Sequence, residues 1–97
     1  MSYNLQFLPS AWKEWGKLAP DLKAQFKARL QQRLERPHVE SARIRGYTNH
    51  YKIKLRSLGY RLVYEVDEKN VTVSVICLGK RDTIYQILRK RKAKKEP

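Results

Sequence analysis

From Tyr51 to Arg56 the chain alternates without exception: Tyr51, Ile53 and Leu55 are apolar, while Lys52, Lys54 and Arg56 are basic. Successive side chains of a β-strand point to opposite faces, so this segment presents one greasy face and one wholly cationic face. An ordinary half-exposed strand mixes signs, because like charges in a row repel. A face of one sign costs stability unless a polyanion lies on it, and RNA or DNA is the obvious polyanion.

The periodicity around this strand predicts the rest. Tyr3-Asn4-Leu5-Gln6-Phe7 alternates and reads as a short strand ended by Pro9. Ser10 is the expected cap of a helix whose apolar residues are Ala11, Trp12, Trp15 and Leu18. Pro20 ends that helix or opens a second one, in which Leu22, Phe26, Leu30 and Leu34 recur every four residues until Pro37. The basic residues on its other faces, Arg29 and Arg33 among them, read as a solvated helix surface. From about Arg43 the period becomes two. Strands are expected near 43–46, 50–57, 60–66 and 71–78, with turns at Leu58-Gly59 and Asp67–Asn70. A helical pattern returns after Gly79. The order β-α-α-β-β-β-β-α predicts an α+β fold: a small antiparallel sheet, an N-terminal helical hairpin on one face, and a C-terminal helix. Residues 1–88 read as one domain and 89–97 as a basic tail or helix extension.

Strand parity turns this layout into a site. If Leu58-Gly59 is a two-residue hairpin tip, Ser57 faces Tyr60, Leu55 opposes Leu62 and Ile53 opposes Tyr64. The other face then carries Lys52, Lys54, Arg56 and Arg61, with Glu65 opposite Lys52. Carried through the next turn, the same parity buries Val71, Val73, Val75 and Cys77. A one-residue slip would drive the charges into the core, so the apolar pattern is expected to fix this register.

Charge supports a polyanion partner. The formal net charge is +13 over 97 residues, with a pI near 10.2. Residues 89–97 hold six basic residues and one acid, which leaves +8 on the first 88. The folded body is therefore basic in its own right. The lone Cys77 excludes a disulfide within the chain and suits a reducing cytoplasm, where it reads as a small core hydrophobe. No apolar run approaches the length of a membrane span, and no membrane role is expected.

Two His and one Cys without a neighbouring carboxylate cluster make a poor metal site, so no metal and no cofactor are expected. His50 shares the parity of the cationic face and is a conceivable base, against the plainer reading of an exposed strand-end residue. His38 reads as surface. Phosphoryl transfer needs no metal where Lys and Arg neutralise the charge developing on phosphate. A lysine among other cations holds its proton less firmly and can serve as a base, while arginine stays charged and clamps oxygens. The face is thus compatible with an RNase, and equally with a surface that only binds.

Four blocks carry a resemblance: Arg43-Ile44-Arg45-Gly46, then Tyr51-Lys52-Ile53-Lys54-Leu55-Arg56, then Gly59-Tyr60-Arg61-Leu62-Val63-Tyr64, then Gly79-Lys80-Arg81 with Tyr85 following. In this order and spacing, from about Tyr3 to Tyr85, the chain resembles the RelE branch of the RelE/ParE toxin superfamily. The resemblance implies the toxin of a type II toxin–antitoxin pair, a ribosome-dependent mRNA endonuclease acting in the A site. There the RNA's own 2′-hydroxyl attacks the adjacent phosphate, leaving a 2′,3′-cyclic phosphate and a 5′-hydroxyl. By position, Lys52, Lys54, Arg61, Arg81 and Tyr85 match the catalytic set. Lys54 would be the general base, Lys52 and Arg61 would stabilise the phosphate, and Arg81 would hold it near the leaving oxygen. Tyr85 would stack on or orient a base. Tyr85 stands four residues after Arg81, and Lys80 occupies a place often held by His. Arg45, Arg56 and Lys80 are expected RNA contacts. The implied partners are mRNA, the ribosome with its 16S rRNA, and a RelB-like antitoxin, with DNA touched only through the antitoxin complex. A ParE-like gyrase inhibitor and a non-catalytic nucleic-acid-binding domain are the alternatives.

Overall fold

Each N-terminal helix opens on a proline, whose fixed φ suits the first turn and whose missing N–H would have been unsatisfied there anyway. The computed structural model describes residues 2–55 and 58–93. After strand β1 (Asn4–Phe7), helix α1 spans Pro9–Gly16 and helix α2 spans Pro20–Glu35, with Leu8 and Ala19 at the N-cap positions. Ser10, the expected cap, lies inside α1. A single 3-10 turn, Glu40–Ala42, leads to β2 (His50–Leu55), β3 (Tyr60–Asp67), β4 (Thr72–Lys80) and α3 (Ile84–Ala93). Among the described residues no helix is long and apolar enough to cross a membrane.

The α+β architecture stands as expected. Its sheet has the order β1-β4-β3-β2, antiparallel through β2, β3 and β4. β1 joins the far edge parallel to β4, with Asn4 opposite Thr72 and Phe7 opposite Val75, so the sheet is mixed rather than wholly antiparallel. The strand expected at 43–46 reduces to one bridge, Arg43 to Tyr51, because the chain bends at Gly46, where φ is +89°.

The two sheet faces hold separate apolar clusters. On one, Ala11 of α1 and Phe26 and Leu30 of α2 pack against Ile53, Leu62 and Tyr64. Burying each of the Phe, Leu and Ile side chains contributes roughly 1.5–3 kcal/mol. On the other, Ile84 and Leu88 of α3 cover Val63, Ile76 and Cys77. The face opposite the α1–α2 core is therefore partly roofed by α3. Burial pushes the Cys77 thiol up to about 12, so it stays protonated at neutral pH.

Two register features depart from simple parity. β2 and β3 pair with Leu55 opposite Tyr60, Ile53 opposite Leu62 and Lys54 opposite Arg61. That is two residues away from the expected hairpin, and it places Glu65 opposite His50 rather than Lys52. A two-residue shift returns every side chain to its original face, so the apolar pattern cannot distinguish the two registers. The second feature is a β-bulge between β3 and β4 at Val63/Tyr64. One extra residue on β4 reverses the parity beyond it. Cys77 consequently lies on the α3 face, and Leu78 takes the place in the larger core. Val71, expected in the core, is exposed in the turn with φ at +50°.

A carboxylate-centred network ties the residue before β1, the α2–β2 connection and the β3–β4 turn together. The Tyr3 hydroxyl donates to both oxygens of Glu68 at 3.0 and 2.9 Å. His38 Nε2 donates to Glu68, and the Tyr51 hydroxyl donates to His38 Nδ1 at 2.7 Å. His38 is therefore a strut rather than an idle surface residue. Its hydrogen bond, and then that of Tyr3, hold the Glu68 carboxyl below its ordinary value. In the turn, Asn70 donates to Asp67 from its side chain at 2.8 Å and its backbone at 3.1 Å, which lowers Asp67 likewise. A carboxyl with a depressed folded-state pKa stabilises the fold above its unfolded value and loses that contribution as pH falls through the folded one. The urea midpoint should therefore hold from pH 7 to about 5 and fall below about pH 4. The double variant Glu68→Gln/Asp67→Asn should have a shallower acid limb; an unchanged limb would remove these two carboxyls as its cause.

Candidate active site

The observed register places Lys54 on β2 directly across from Arg61 on β3, and Arg61 in turn opposite Gly79 on β4. Just past β4, the Arg81 N–H donates to the Gly59 carbonyl at 2.9 Å. This bond fastens the end of β4 to the β2–β3 connection, where Gly59 adopts φ +66°. The result is a cavity of about 270 Å³ lined by Lys54, Leu55, Gly59, Tyr60, Arg61 and Arg81. Residues from three chain segments thus meet in one cationic hollow. The Arg81 side chain is two-thirds exposed, with Nε 3.9 Å from the Asp82 carboxylate, too loose and too wet a pair to neutralise it.

Tyr85 enters from the first turn of α3. Arg61 Nη1 donates to the Tyr85 hydroxyl at 3.1 Å, and the guanidinium carbon lies 5.8 Å from the ring centroid. The contact combines a hydrogen bond with a cation–π approach, and it fixes Arg61 toward the cavity without removing its charge.

Lys52 shares the parity of Lys54 but lies opposite Val63 and lines a second, larger groove rather than this hollow. That groove, about 560 Å³, has Lys54 as a common wall. Arg33 of α2 also lines it, with its Nη1 donating to the Lys52 carbonyl at 3.1 Å and the Tyr64 hydroxyl at 2.9 Å. Arg33 is thus a half-buried participant and not part of a purely solvated helix face. Its signal in the sequence was spacing: Gln25, Arg29 and Arg33 are four residues apart and share one stripe of α2.

The remaining expected residues spread more widely. Arg45 lines a separate groove with Arg43, Gly46, Tyr47 and Thr48. Lys80 is exposed at the end of β4, outside the described lining of the Lys54–Arg61–Arg81 hollow. Arg56 falls outside the described residues. His50 is neither exposed nor at the site: it is 2% exposed, donates from Nδ1 to the Thr48 carbonyl at 2.8 Å, and lies 3.8 Å from Glu65. The basic C-terminal run divides as well. Arg91 is bound to Glu14, and Lys92 Nζ reaches Glu65 at 3.1 Å, whereas Arg89 and Lys90 are exposed. Among the described residues, no group of three or more His, Cys, Asp or Glu is placed to hold a metal ion.

Residues 5–85 match the family described as the ParE toxin of type II toxin–antitoxin systems, parDE. The mRNA interferase toxin RelE of Escherichia coli K12 is 49% identical over 82 residues, which cover 84% of this chain and 86% of that protein. In the crystal structure of the intact E. coli RelBE toxin–antitoxin complex, a chain 48% identical superposes with a TM-score of 0.80, covering 81% of this chain and 96% of that one. A doubly substituted E. coli RelE toxin in the free state is 45% identical, with a TM-score of 0.85 and coverage of 94% and 98%.

Proposed function

Because this chain belongs to the ParE toxin family of type II toxin–antitoxin systems, with RelE proteins among its relatives, we propose that it cleaves mRNA held in the ribosomal A site. It is a type II toxin and an mRNA endonuclease, and its protein partner is a cognate antitoxin. The cytoplasm, where ribosomes and mRNA meet, is the proposed location.

The observation that carries the mechanism is the meeting of Lys54, Arg61 and Arg81 in one hollow, with Tyr85 held on Arg61. Lys54 Nζ takes the proton from the 2′-hydroxyl as that oxygen bonds to phosphorus. Arg61 stabilises the charge on the non-bridging oxygens, and Lys52 adds positive potential from the adjoining groove. Arg81, at the mouth, holds the phosphate while the bond to the 5′-oxygen breaks, and a proton from solvent completes the 5′-hydroxyl. Tyr85 presents its ring to a base and its hydroxyl to Arg61. Arg45 and Lys80, away from the hollow, contact RNA backbone, as does Arg56. The 1–88 body carries the active-site residues; within 89–97, Arg89 and Lys90 add exposed positive charge, while Arg91 and Lys92 pair with Glu14 and Glu65.

Ribosome dependence follows from what this hollow lacks in reach. General-base assistance contributes about 10²–10⁴-fold. Alignment of the 2′-hydroxyl with the scissile bond is worth several kcal/mol more, and a ribosome holding the codon supplies that alignment. The test is incubation with mRNA, with and without programmed ribosomes, followed by mapping of the ends. Cleavage should require ribosomes, fall within the A-site codon, and leave a 2′,3′-cyclic phosphate and a 5′-hydroxyl. Equal cutting of naked RNA would sink the ribosome requirement, and no cutting in either case would leave only a binding role.

A further inference from the structure

The Lys54–Arg61–Arg81 hollow does not use up the positive charge at the sheet edge. β2 is the outermost strand on its side. Along its open edge lies the groove of about 560 Å³ whose cationic walls are Arg29 and Arg33 of α2 and Lys52 and Lys54 of β2. Gln25 and Ser41 add neutral hydrogen-bonding groups, and none of the described lining residues is acidic. Among the described residues no ion pair ties Arg29, Arg33 or Lys52 to a carboxylate. The two acceptors of Arg33 Nη1 are neutral oxygens, so they orient the guanidinium without compensating its charge.

Lysines on an edge strand also discourage edge-to-edge pairing, but that role asks nothing of Arg29 on the facing helix. Two cations from a strand and two from a helix, brought around one concavity, instead make a focused positive field. Lys52 and Lys54 are two residues apart, about 7 Å along a strand, a distance on the scale of one nucleotide step. Since Lys54 is the shared wall of both cavities, an RNA strand with one phosphate in the catalytic hollow meets this groove with its neighbour.

We propose that the groove between α2 and the β2 edge is a second RNA phosphodiester subsite, with Arg29 and Arg33 as its phosphate-binding residues. The proposal rests on the nuclease reading above, yet it is tested by binding alone. The phosphate belongs either to the single strand being cut or to folded ribosomal RNA, and the same variants separate the two sources.

The probe is a fluorescein-labelled single-stranded RNA dodecamer carrying 2′-O-methyl groups, which cannot supply an attacking 2′-hydroxyl. Its anisotropy is followed with the full-length wild type, Arg29→Gln, Gln25→Glu and Lys27→Gln. Lys27 is an exposed cation of α2 that lines a different, apolar groove, so it controls for net charge. Thermal midpoints confirm that each variant folds. Arg29→Gln should weaken binding several-fold and flatten the slope of log affinity against log salt by about 0.7, the value for one lost phosphate contact on a single strand. Gln25→Glu should weaken it further, and Lys27→Gln should have little effect. The same variants are titrated against ribosomes without mRNA.

A loss confined to the short strand assigns the subsite to mRNA, and a loss confined to ribosomes assigns it to ribosomal RNA; either supports the subsite. No loss in both titrations, or an equal loss from Lys27→Gln, overturns it. Because no cutting is measured, failure of the cleavage mechanism leaves this result intact.

Discussion

Lys54→Arg should reduce single-turnover cleavage of ribosome-bound mRNA by about 10²–10⁴-fold, the range for losing a positioned general base. The substitution keeps the positive charge opposite Arg61 on the β2–β3 pair, so phosphate attraction persists. What disappears is the capacity to exist unprotonated, because a guanidinium retains its proton throughout the accessible pH range. Binding to programmed ribosomes should therefore remain near wild type while the rate of the chemical step collapses. Lys54→Ala should be similarly slow and should bind more weakly as well. If Lys54→Arg retains most of the rate, Lys54 acts as a point charge and the base must be sought elsewhere. His50 is not that residue, since it is buried against the Thr48 carbonyl.

The faces of the central strands were legible in the sequence because parity follows directly from the alternating pattern. Ile53 and Leu62 are fully buried, while Lys52, Lys54 and Arg61 point the other way and are half-exposed. Which cation faces which was not legible. The observed register and its two-residue neighbour bury the same side chains, so only the structure pairs Lys54 with Arg61. The bulge at Val63/Tyr64 left no trace in hydropathy either, because Cys77 and Leu78 suit either face. The direction of β1 depends on how the chain returns across the sheet, which its five-residue alternation does not encode. Tyr85 entered through family resemblance alone; its hydrogen bond with Arg61 now supplies a physical reason for it. Arg33 was misread because a helix face is judged by its neighbours in sequence, whereas its partners, the Lys52 carbonyl and the Tyr64 hydroxyl, come from strands far along the chain.

The same non-local logic makes Glu14 the residue whose loss should most destabilise the fold through electrostatics. β1 accompanies β4 only as far as Val75, where the Leu8 N–H donates to the Val75 carbonyl. Beyond that point the outer edge of β4 needs other partners. Glu14 Oε1 accepts from the Leu78 N–H at 3.0 Å, and Arg91 Nη1 donates to the Ile76 carbonyl at 2.9 Å. The two side chains also meet each other in a bidentate pair at 2.9 and 2.6 Å, which raises the Arg91 pKa. One ion pair thus caps the bulged edge, joining α1, β4 and α3. Glu14→Ala strands the Leu78 donor and leaves Arg91 unpaired against a carbonyl. With the pair about a quarter exposed, the cost should be roughly 2–4 kcal/mol, toward the low end for a broken buried pair. At about 4–8 °C per kcal/mol for a domain of this size, the thermal midpoint should fall by at least about 8 °C. Glu14→Gln, which keeps an acceptor for Leu78, should lose less. Glu14→Gln/Arg91→Met should lose less than the sum of its single changes, since each partner's cost is largely the charge left behind. Additive losses would show that the two side chains act separately. The effect should reach chemistry too, because α3 carries Tyr85 onto Arg61: loosening α3 from β4 should slow cleavage even at temperatures where the variant remains folded.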